Sequence, residues 1–366
     1  MKLLVCATEY YPYGSGIANV AYNVVENLKK EGIDCTVCSP TGPDIKLGNQ
    51  FLIKKFGIVG LLYFWFRVSG KFKNNDYNVA WFHNPFFFFS NPFSQCVVTM
   101  HSTYRGEWVH QIGNNLLIRN YKKVVAKIER FCLLRMNQST LFTGVSPTVC
   151  EELKQIGINK TQIFYISNGV NTDLFKPHAN RMALRYQKGI PDDEIILLNV
   201  GRLTPAKQPD VLLRIFSQLE KKLNNISLYI AGNGELFEPT KMLSNELNLK
   251  KIAFFGYINH EEQLPNLYAI SDYYILTSKY EGAPLTLFEA ISSGLPCIVS
   301  NIPSLSFIKE ANCGIIIDSN KTEEAVNDII KFFQEKRNFY AENGREYATN
   351  KLDWKIIKSL YLNLFK

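Results

Sequence analysis

Short apolar runs recur along this chain, each followed by a polar or helix-length stretch, and no other feature restricts its fold so tightly. KLLVCAT, DCTVCS, NVAWF, CVVTMH and LFTGVS mark the first half; IILLNVGR, ISLYIAG, IAFFGY, YYILTS, PCIVSN and GIIID mark the second. Runs of this kind suit strands covered on both faces, and parallel strands need helical crossovers between them. At 366 residues the chain exceeds one ordinary core of roughly 150 residues, so the pattern predicts two doubly wound α/β domains. The expected domains span 1–172 and 173–351, joined where Asn, Gly and Pro interrupt the pattern in NGVNTDLFKPH. The tail 352–366, LDWKIIKSLYLNLFK, has apolar residues at helical spacing and is expected to pack back on the first domain. Ligands of such sheets bind beyond the carboxyl ends of the strands, so the expected site is the cleft between two facing sheets.

Composition narrows the function classes. With 46% hydrophobic and 20% charged residues, and no run near the roughly 18 apolar residues a membrane span requires, no transmembrane helix is expected. The start, MKLLVCATEYYP, is too short in apolar residues for a secretory segment and reads as a first buried strand, which predicts a cytoplasmic protein. The one CxxC, Cys35 to Cys38, lies in a strand-like run where positions three apart face opposite sides, so buried thiols are expected rather than a metal or redox pair. The net charge of +8 is uneven: residues 1–175 carry 18 Lys+Arg against 11 Asp+Glu, and 176–366 carry 23 against 22. Basic balance alone suggests nucleic acid, but no aromatic RNA-binding signature accompanies it, and no nucleic-acid partner is expected.

The motifs follow strands. Gly14-Ser15-Gly16, between the first apolar run and a helical stretch, would let backbone N–H groups approach an anion at a helix start. A nicotinamide dinucleotide site is disfavoured there. The glycines come too late for the tight first turn, Asn19 stands where a third glycine belongs, and the second strand ends in Ser39-Pro40 without a ribose-binding acid. NVGRLTPAKQ places Arg202 and Lys207 in one loop, a fork and a point charge that suit a diphosphate, although solvated loop cations have the same appearance. Gly234 in AGNG, and Tyr257 with Ile258 in FFGYI, stand where backbone could meet a flat base.

KYEGAPLTLFEAISSGLP then supplies an anion seat. YYILTS reads as a buried strand, KYEGAP as a turn, and LTLFEAISSG as a helix ended by Gly294. The N–H groups of roughly Ala283–Leu287 should point outward with the positive end of the helix dipole behind them. Glu281 and Glu289 would flank a bound anion, each accepting hydroxyls. Such a pair suits a ligand with a sugar on either side of its phosphates, a nucleoside-diphosphate sugar. The alternative is a solvated Glu281 and a Glu289 merely favourable near a helix start.

YEGAPLTLFEAISSGLP resembles the E-x7-E signature of the retaining GT-B glycosyltransferases of family 4, and GSG, VTMH, GRLTPAKQ, IAGNG, FFGYI and the final LDW segment fall in that family's order. The resemblance covers nearly the whole chain. It implies two Rossmann-like domains facing across a cleft and transfer of a sugar, with retention, from a nucleoside-diphosphate sugar as co-substrate, UDP-linked before GDP-linked. It also implies that Glu289 binds the donor ribose, that Glu281 lies near the donor sugar hydroxyls, and that Arg202 and Lys207 hold the diphosphate. The backbone at Tyr257 and Ile258 would meet the base, with Gly16 against the phosphates and His101 beside the transferred sugar. Gly282, Ala283, Pro284, Leu285, Thr286 and Leu287 would form the anion seat. A lone histidine in His101's position is otherwise often structural. The loop reads GSG where two adjacent glycines are common, and EGAPLT where glycine or phenylalanine often stands in the middle, departures that bear on the donor sugar. With no D-x-D and no cluster of metal-ligand type, no catalytic metal or other cofactor is expected. A nucleotide-sugar epimerase of the same shape, or a silent nucleotide-sugar-binding protein, would carry similar motifs. Two cationic, apolar stretches, FLIKKFGIVGLLYFWFRVSGKFK and LLIRNYKKVVAKIERFCLLRM, suit an anionic membrane surface and a glycan or lipid-linked acceptor, although core helices with solvated charged faces have the same appearance. The expected location is therefore cytoplasmic, peripheral on the inner face of the plasma membrane. HNPFFFFSNPF adds an aromatic cluster, either a buried helix or a surface site.

Overall fold

The computed structural model describes the chain except Tyr13, Ser15, residues 73–75, Ser90, Pro92, Gly113 and Asn114. The chain forms two units, one of Met1–Gly169 with Trp354–Lys366, the other of Val170–Asp353. The first holds a seven-stranded sheet of β1 (Lys2–Cys6), β2 (Asp34–Ser39), β3 (Ile45–Lys46), β4 (Val79–His83), β5 (Cys96–Met100), β6 (Leu141–Gly144) and β7 (Ile163–Tyr165). Its spatial order is β3-β2-β1-β4-β5-β6-β7, with every pairing parallel. β4 and β5 are buried at every position, which is why they read as unbroken apolar runs rather than alternating ones.

The C-terminal helix Trp354–Phe365 belongs to this first unit. Tyr361 packs against Trp81 of β4 at 4.8 Å with the rings tilted by 47°, and Phe365 lies 5.6 Å from the same ring. The Tyr361 hydroxyl accepts from Thr99 Oγ1 at 3.3 Å, so the buried phenol is not left unpaired. Lys358 pairs with Glu31 at the end of the first helical crossover.

The second unit holds β8 (Ile195–Val200), β9 (Ile226–Ala231), β10 (Ile252–Gly256), β11 (Tyr273–Leu276), β12 (Cys297–Ser300) and β13 (Gly314–Ile317), again all parallel, in the order β10-β9-β8-β11-β12-β13. Its limits differ by a few residues from those expected, because contacts of its own close it. Val170 donates its N–H to Leu352 O at 2.8 Å and bridges to Asp353, and the Thr172 hydroxyl bonds the Asp353 carboxylate.

All eight cysteines are free and buried. Cys35 and Cys38 lie in β2, and Cys38 is in register with Cys6 of β1. The phenylalanine cluster is not a helix: Phe86, Phe87 and Phe93 are buried while Phe88 and Phe89 are exposed, so it divides between core and surface.

One carboxylate anchors the amino ends of the two central strands of the second sheet. Asp272 Oδ2 accepts the Ile196 N–H and a guanidinium hydrogen of the fully buried Arg185, both at 2.9 Å, and Oδ1 pairs with Arg181. Removing one member of a buried ion pair leaves the other charge uncompensated, at a cost of about 3–5 kcal/mol. Asp272→Ala is expected to destabilise the second unit by that amount in urea denaturation; a loss below about 1 kcal/mol would show that Arg185 finds other partners.

Candidate active site

In the second unit the strand order reverses between β8 and β11. Connections leave these neighbours toward opposite faces of the sheet, opening a crevice at their carboxyl ends. The exits of β8 and β9 pack backbone against backbone. Gly201 donates to Ala231 O at 2.9 Å, and Leu203 to Asn233 O at 3.0 Å. A Cβ on Gly232 (φ +128°) would fall 1.9 Å from Gly201 O, and one on Gly234 (φ +157°) 2.4 Å from Leu203 O. Gly234, expected opposite a base, thus has a packing reason of its own.

The exits of β8 and β11 are tied together as well. Lys279 N–H donates to Ala206 O at 2.8 Å, and Thr277 Oγ1 bonds the carbonyls of Lys207 and Gln208, each at 3.2 Å. This brings the Lys207 ammonium onto Glu281, which also accepts from Ser278 Oγ at 2.5 Å. Glu281 is 8% exposed, and a quarter of the lysine side chain (26%) remains open. Arg202, on the same loop as Lys207, is exposed, and no ion pair holds it among the described residues.

Helix Leu285–Ser292 begins beside this pair with Pro284 as its cap and no side chain satisfying its first turn. Gly282, Ala283, Leu285 and Thr286 are half-buried there, at the positive end of the helix dipole. Leu287 departs from expectation: it lies in the core, and its N–H bonds Pro284 O at 3.2 Å. Pro284, also buried, contributes shape rather than an N–H.

Glu289, 4% exposed, accepts from Tyr268 OH at 3.0 Å and contacts His260 Nε2 at 2.7 Å. Sequence reasoning missed both partners, since nothing in their spacing connects them to Glu289. Burial opposes a charge on His260, yet the hydrogen bond and charge of Glu289, with Glu261 adding, raise its pKa above the ordinary 6.5. Tyr257, next in this loop, is exposed, while Ile258 packs on the core.

In the first unit the order reverses between β1 and β4. His101, just past β5, lies 2.9 Å through Nε2 from Nδ1 of His83 at the end of β4, with rings near-parallel at 18°. Its N–H donates to Asn84 Oδ1 at 2.9 Å. Burial pushes His101 down to about 3, and burial with the neighbouring His101 lowers His83 well below its usual value. Both rings are therefore neutral at neutral pH, one donating to the other. His83 and Asn84 were not singled out in the sequence, though HNP directly after an apolar run was the available signal. Gly14 is exposed at φ +140°, where a Cβ would meet Glu9 and Ala18 below 3 Å, and Gly16 opens the helix Gly16–Lys29. Ser15, from the same loop, lies outside the described residues.

The first unit also carries a basic, apolar surface. Ile58 N–H of helix Ile58–Lys71 donates to Tyr121 OH of helix Leu116–Leu134 at 3.0 Å. Exposed rings continue from Phe66 to Phe89 at 6.0 Å and from Phe88 to Phe131 at 5.2 Å. Lys55 lies over the rings of Phe51 and Phe56, and Lys54 and Lys71 are exposed nearby. No helix of the described residues is long and apolar enough to cross a membrane.

Two sheets of Rossmann order, with two cations, an uncapped helix start and two buried carboxylates at the switch point of the second, define a protein of the GT-B class. The chain belongs to family 4 of the GT-B glycosyltransferases: the family described as glycosyl transferases group 1 matches residues 180–349, and glycosyltransferase family 4 matches residues 14–174. Over 209 residues it is 32% identical to the UDP-Gal:alpha-D-GlcNAc-diphosphoundecaprenol alpha-1,3-galactosyltransferase of Escherichia coli, covering 54% of this chain and 52% of that protein. It is 26% identical over 240 residues to the alpha-galactosylglucosyldiacylglycerol synthase of Streptococcus pneumoniae, covering 62% of each. The chain thus spans about half the length of the first of these curated relatives. Its fold is that of WaaG, a glycosyltransferase involved in lipopolysaccharide biosynthesis, at a TM-score of 0.81 and 20% identity, over 100% of this chain and 99% of that one.

The raised pKa of His260 has a definite pH signature. Stabilisation from the Glu289 contact is complete below about pH 6.5 and is lost as pH rises through the folded-state value. The Tm difference between the native chain and His260→Asn should therefore shrink from about pH 6 to about pH 9; a difference that grows would reverse the assignment.

Proposed function

We propose that this chain is a retaining, metal-independent glycosyltransferase that moves a sugar from a nucleoside-diphosphate sugar, UDP-linked in the first instance, to a glycan or lipid-linked acceptor. One observation carries the reading. Lys207 is held by Glu281 beside the exposed Arg202 and the uncapped start of Leu285–Ser292, all at the β8/β11 switch point. As the bond between the anomeric carbon and the diphosphate oxygen breaks, charge grows on that oxygen. The ammonium, the guanidinium and the helix start stabilise it, at roughly 3–4 kcal/mol per well-placed donor. The acceptor hydroxyl attacks from the face the diphosphate leaves, and its proton passes to the departing oxygen.

His101 acts here as a hydrogen-bonding partner of the donor sugar rather than a base. A ring whose pKa is pushed to about 3 holds a proton too weakly for general base work at neutral pH. Glu289, oriented by Tyr268 and His260, accepts the ribose hydroxyls. The UDP preference draws support from the donor named for the Escherichia coli relative, and the lipid-linked acceptor from the diphosphoundecaprenol named for it. The basic aromatic surface of the first unit supports an acceptor presented at an anionic bilayer, which attracts exposed Lys and Arg while apolar side chains enter the interface.

With a radiolabelled UDP-sugar panel, Lys207→Ala and Arg202→Ala should each lower kcat/KM by about 100-fold or more with the fold intact; near-normal rates would remove the diphosphate assignment. Glu289→Gln should mainly raise KM, because a ribose contact is alike in ground and transition states. Activity should persist in EDTA, and strict dependence on Mg²⁺ or Mn²⁺ would contradict the charge assignment. Neutralising Lys54, Lys55 and Lys71 should weaken binding to anionic vesicles by up to about 1 kcal/mol per charge, and equal binding to neutral vesicles would return the surface to a solvated helix face.

A further inference from the structure

A cavity of about 630 Å³ opens in the second unit, lined by Arg181, Arg337, Arg345, His178 and Ser293 among others. It is not the donor crevice. Its wall includes Ser271, two residues before β11, whereas Lys207 and Glu281 meet past the other end of that strand. Four strand residues separate these levels, a rise of about 13 Å.

The wall gathers three arginines, Arg181, Arg337 and Arg345. The Asp272 carboxylate pairs with Arg181 and Arg185, and its backbone carbonyl accepts from Arg337 Nε at 3.1 Å, so one carboxylate serves two guanidinium groups and a third is held by a carbonyl. Arg345 makes no ion pair among the described residues, although the charges of Asp173 and Asp353 act on it: one of its nitrogens donates to the carbonyls of Thr172, Phe175 and Ser292 and to Ser292 Oγ, all within 3.0 Å. Ser293, 6% exposed, has a buried hydroxyl without a partner, and so does Arg181 Nε. Buried polar groups normally have partners, and these leave unused capacity in the wall. Glu342 and Glu346 also line the cavity, but both are exposed.

We propose that this cavity is a second ligand site, for a sugar monophosphate. The phosphate would meet Arg337 and Arg345, whose planar forks suit its oxygens, and the sugar hydroxyls would donate to Glu342 and Glu346. The volume is within the range of small-molecule sites. The site is coupled to the donor crevice through two shared parts. Tyr268 lines the cavity while its hydroxyl bonds Glu289, and Ser293 follows directly on the helix that carries Glu289. Occupancy therefore changes how Glu289 is held. Binding itself is independent of the transfer reaction; only this coupling rests on the proposed role of Glu289.

Calorimetric titration with glucose 6-phosphate tests the site, with glucose and inorganic phosphate as parallel arms. Saturable binding is expected, with glucose at least tenfold weaker. Arg337→Gln, which removes a charge, and Ala341→Phe, which fills the cavity, should each weaken it at least tenfold; if one fails to fold, the other decides. Lys207→Ala should leave it unchanged. No saturable binding, glucose binding equally well, or loss in Lys207→Ala with retention in the cavity variants would overturn the proposal. The coupling is read separately as a change in UDP affinity on adding glucose 6-phosphate, present in the native chain and absent in Arg337→Gln. A UDP affinity that stays constant while the sugar phosphate binds would remove the coupling and leave the binding site standing.

Discussion

Everything assigned to the candidate site of the second unit depends on one constraint, the reversal of strand order between β8 and β11. A parallel sheet must be crossed by connections of one hand, so strands wound outward from a common centre leave their neighbours' exits diverging at the point where winding changes direction. Loops from β8 and β11 meet only there. The Lys279–Ala206 hydrogen bond and the Thr277 hydroxyl hold them together, and the Lys207–Glu281 pair follows from that closure. The glycines of the β9 exit serve the same geometry, because only a residue without a Cβ allows its backbone to lie against Gly201 and Leu203.

Asp272, Glu281 and Glu289 are among the largely buried carboxylates of this unit, and each is matched differently. Asp272 receives two arginines and a strand N–H at the amino ends of the central strands. Glu281 receives a lysine that remains a quarter exposed, and Glu289 a tyrosine with a half-open histidine. Burying charge is tolerated only with partners, and the nature of the partner sets the consequence. Asp272, held by a fully buried arginine, is structural. Glu281 is held by a lysine and Glu289 in part by a histidine that reach solvent, while the other partner of Glu289, Tyr268, is fully buried.

The strands, their parallel arrangement and the helix closing on Gly294 were legible because each rests on local composition: apolar runs for doubly covered strands, and a positive φ of 76° at the glycine. The candidate site was legible in part. Arg202, Lys207, Glu281 and Glu289 stood out as charges beside strand ends, and a strand end is readable one segment at a time. His260, Tyr268, Ser278 and His83 were not, because each acts through a partner that only folding brings within reach. Leu287 was misjudged for a related reason: helical phase decides which residue of a first turn faces the core, and a turn containing Gly282 and Pro284 does not fix that phase in advance.

By itself, then, the sequence determined the class of fold, the crossover helix at its end and the strand exits where charged residues gather. These follow from periodicity, length and backbone preferences acting over a few residues. Tertiary structure alone decided that Lys207 meets Glu281 across 74 residues of chain, that Glu289 is shared by His260 and Tyr268, and that His83 and His101 form a neutral pair. It also decided that four arginines gather around Asp272 and the neighbouring cavity. Pairing at such separations is set by sheet order and loop closure, and burial then shifts the protonation of the groups it encloses. Neither quantity exists until the chain has packed.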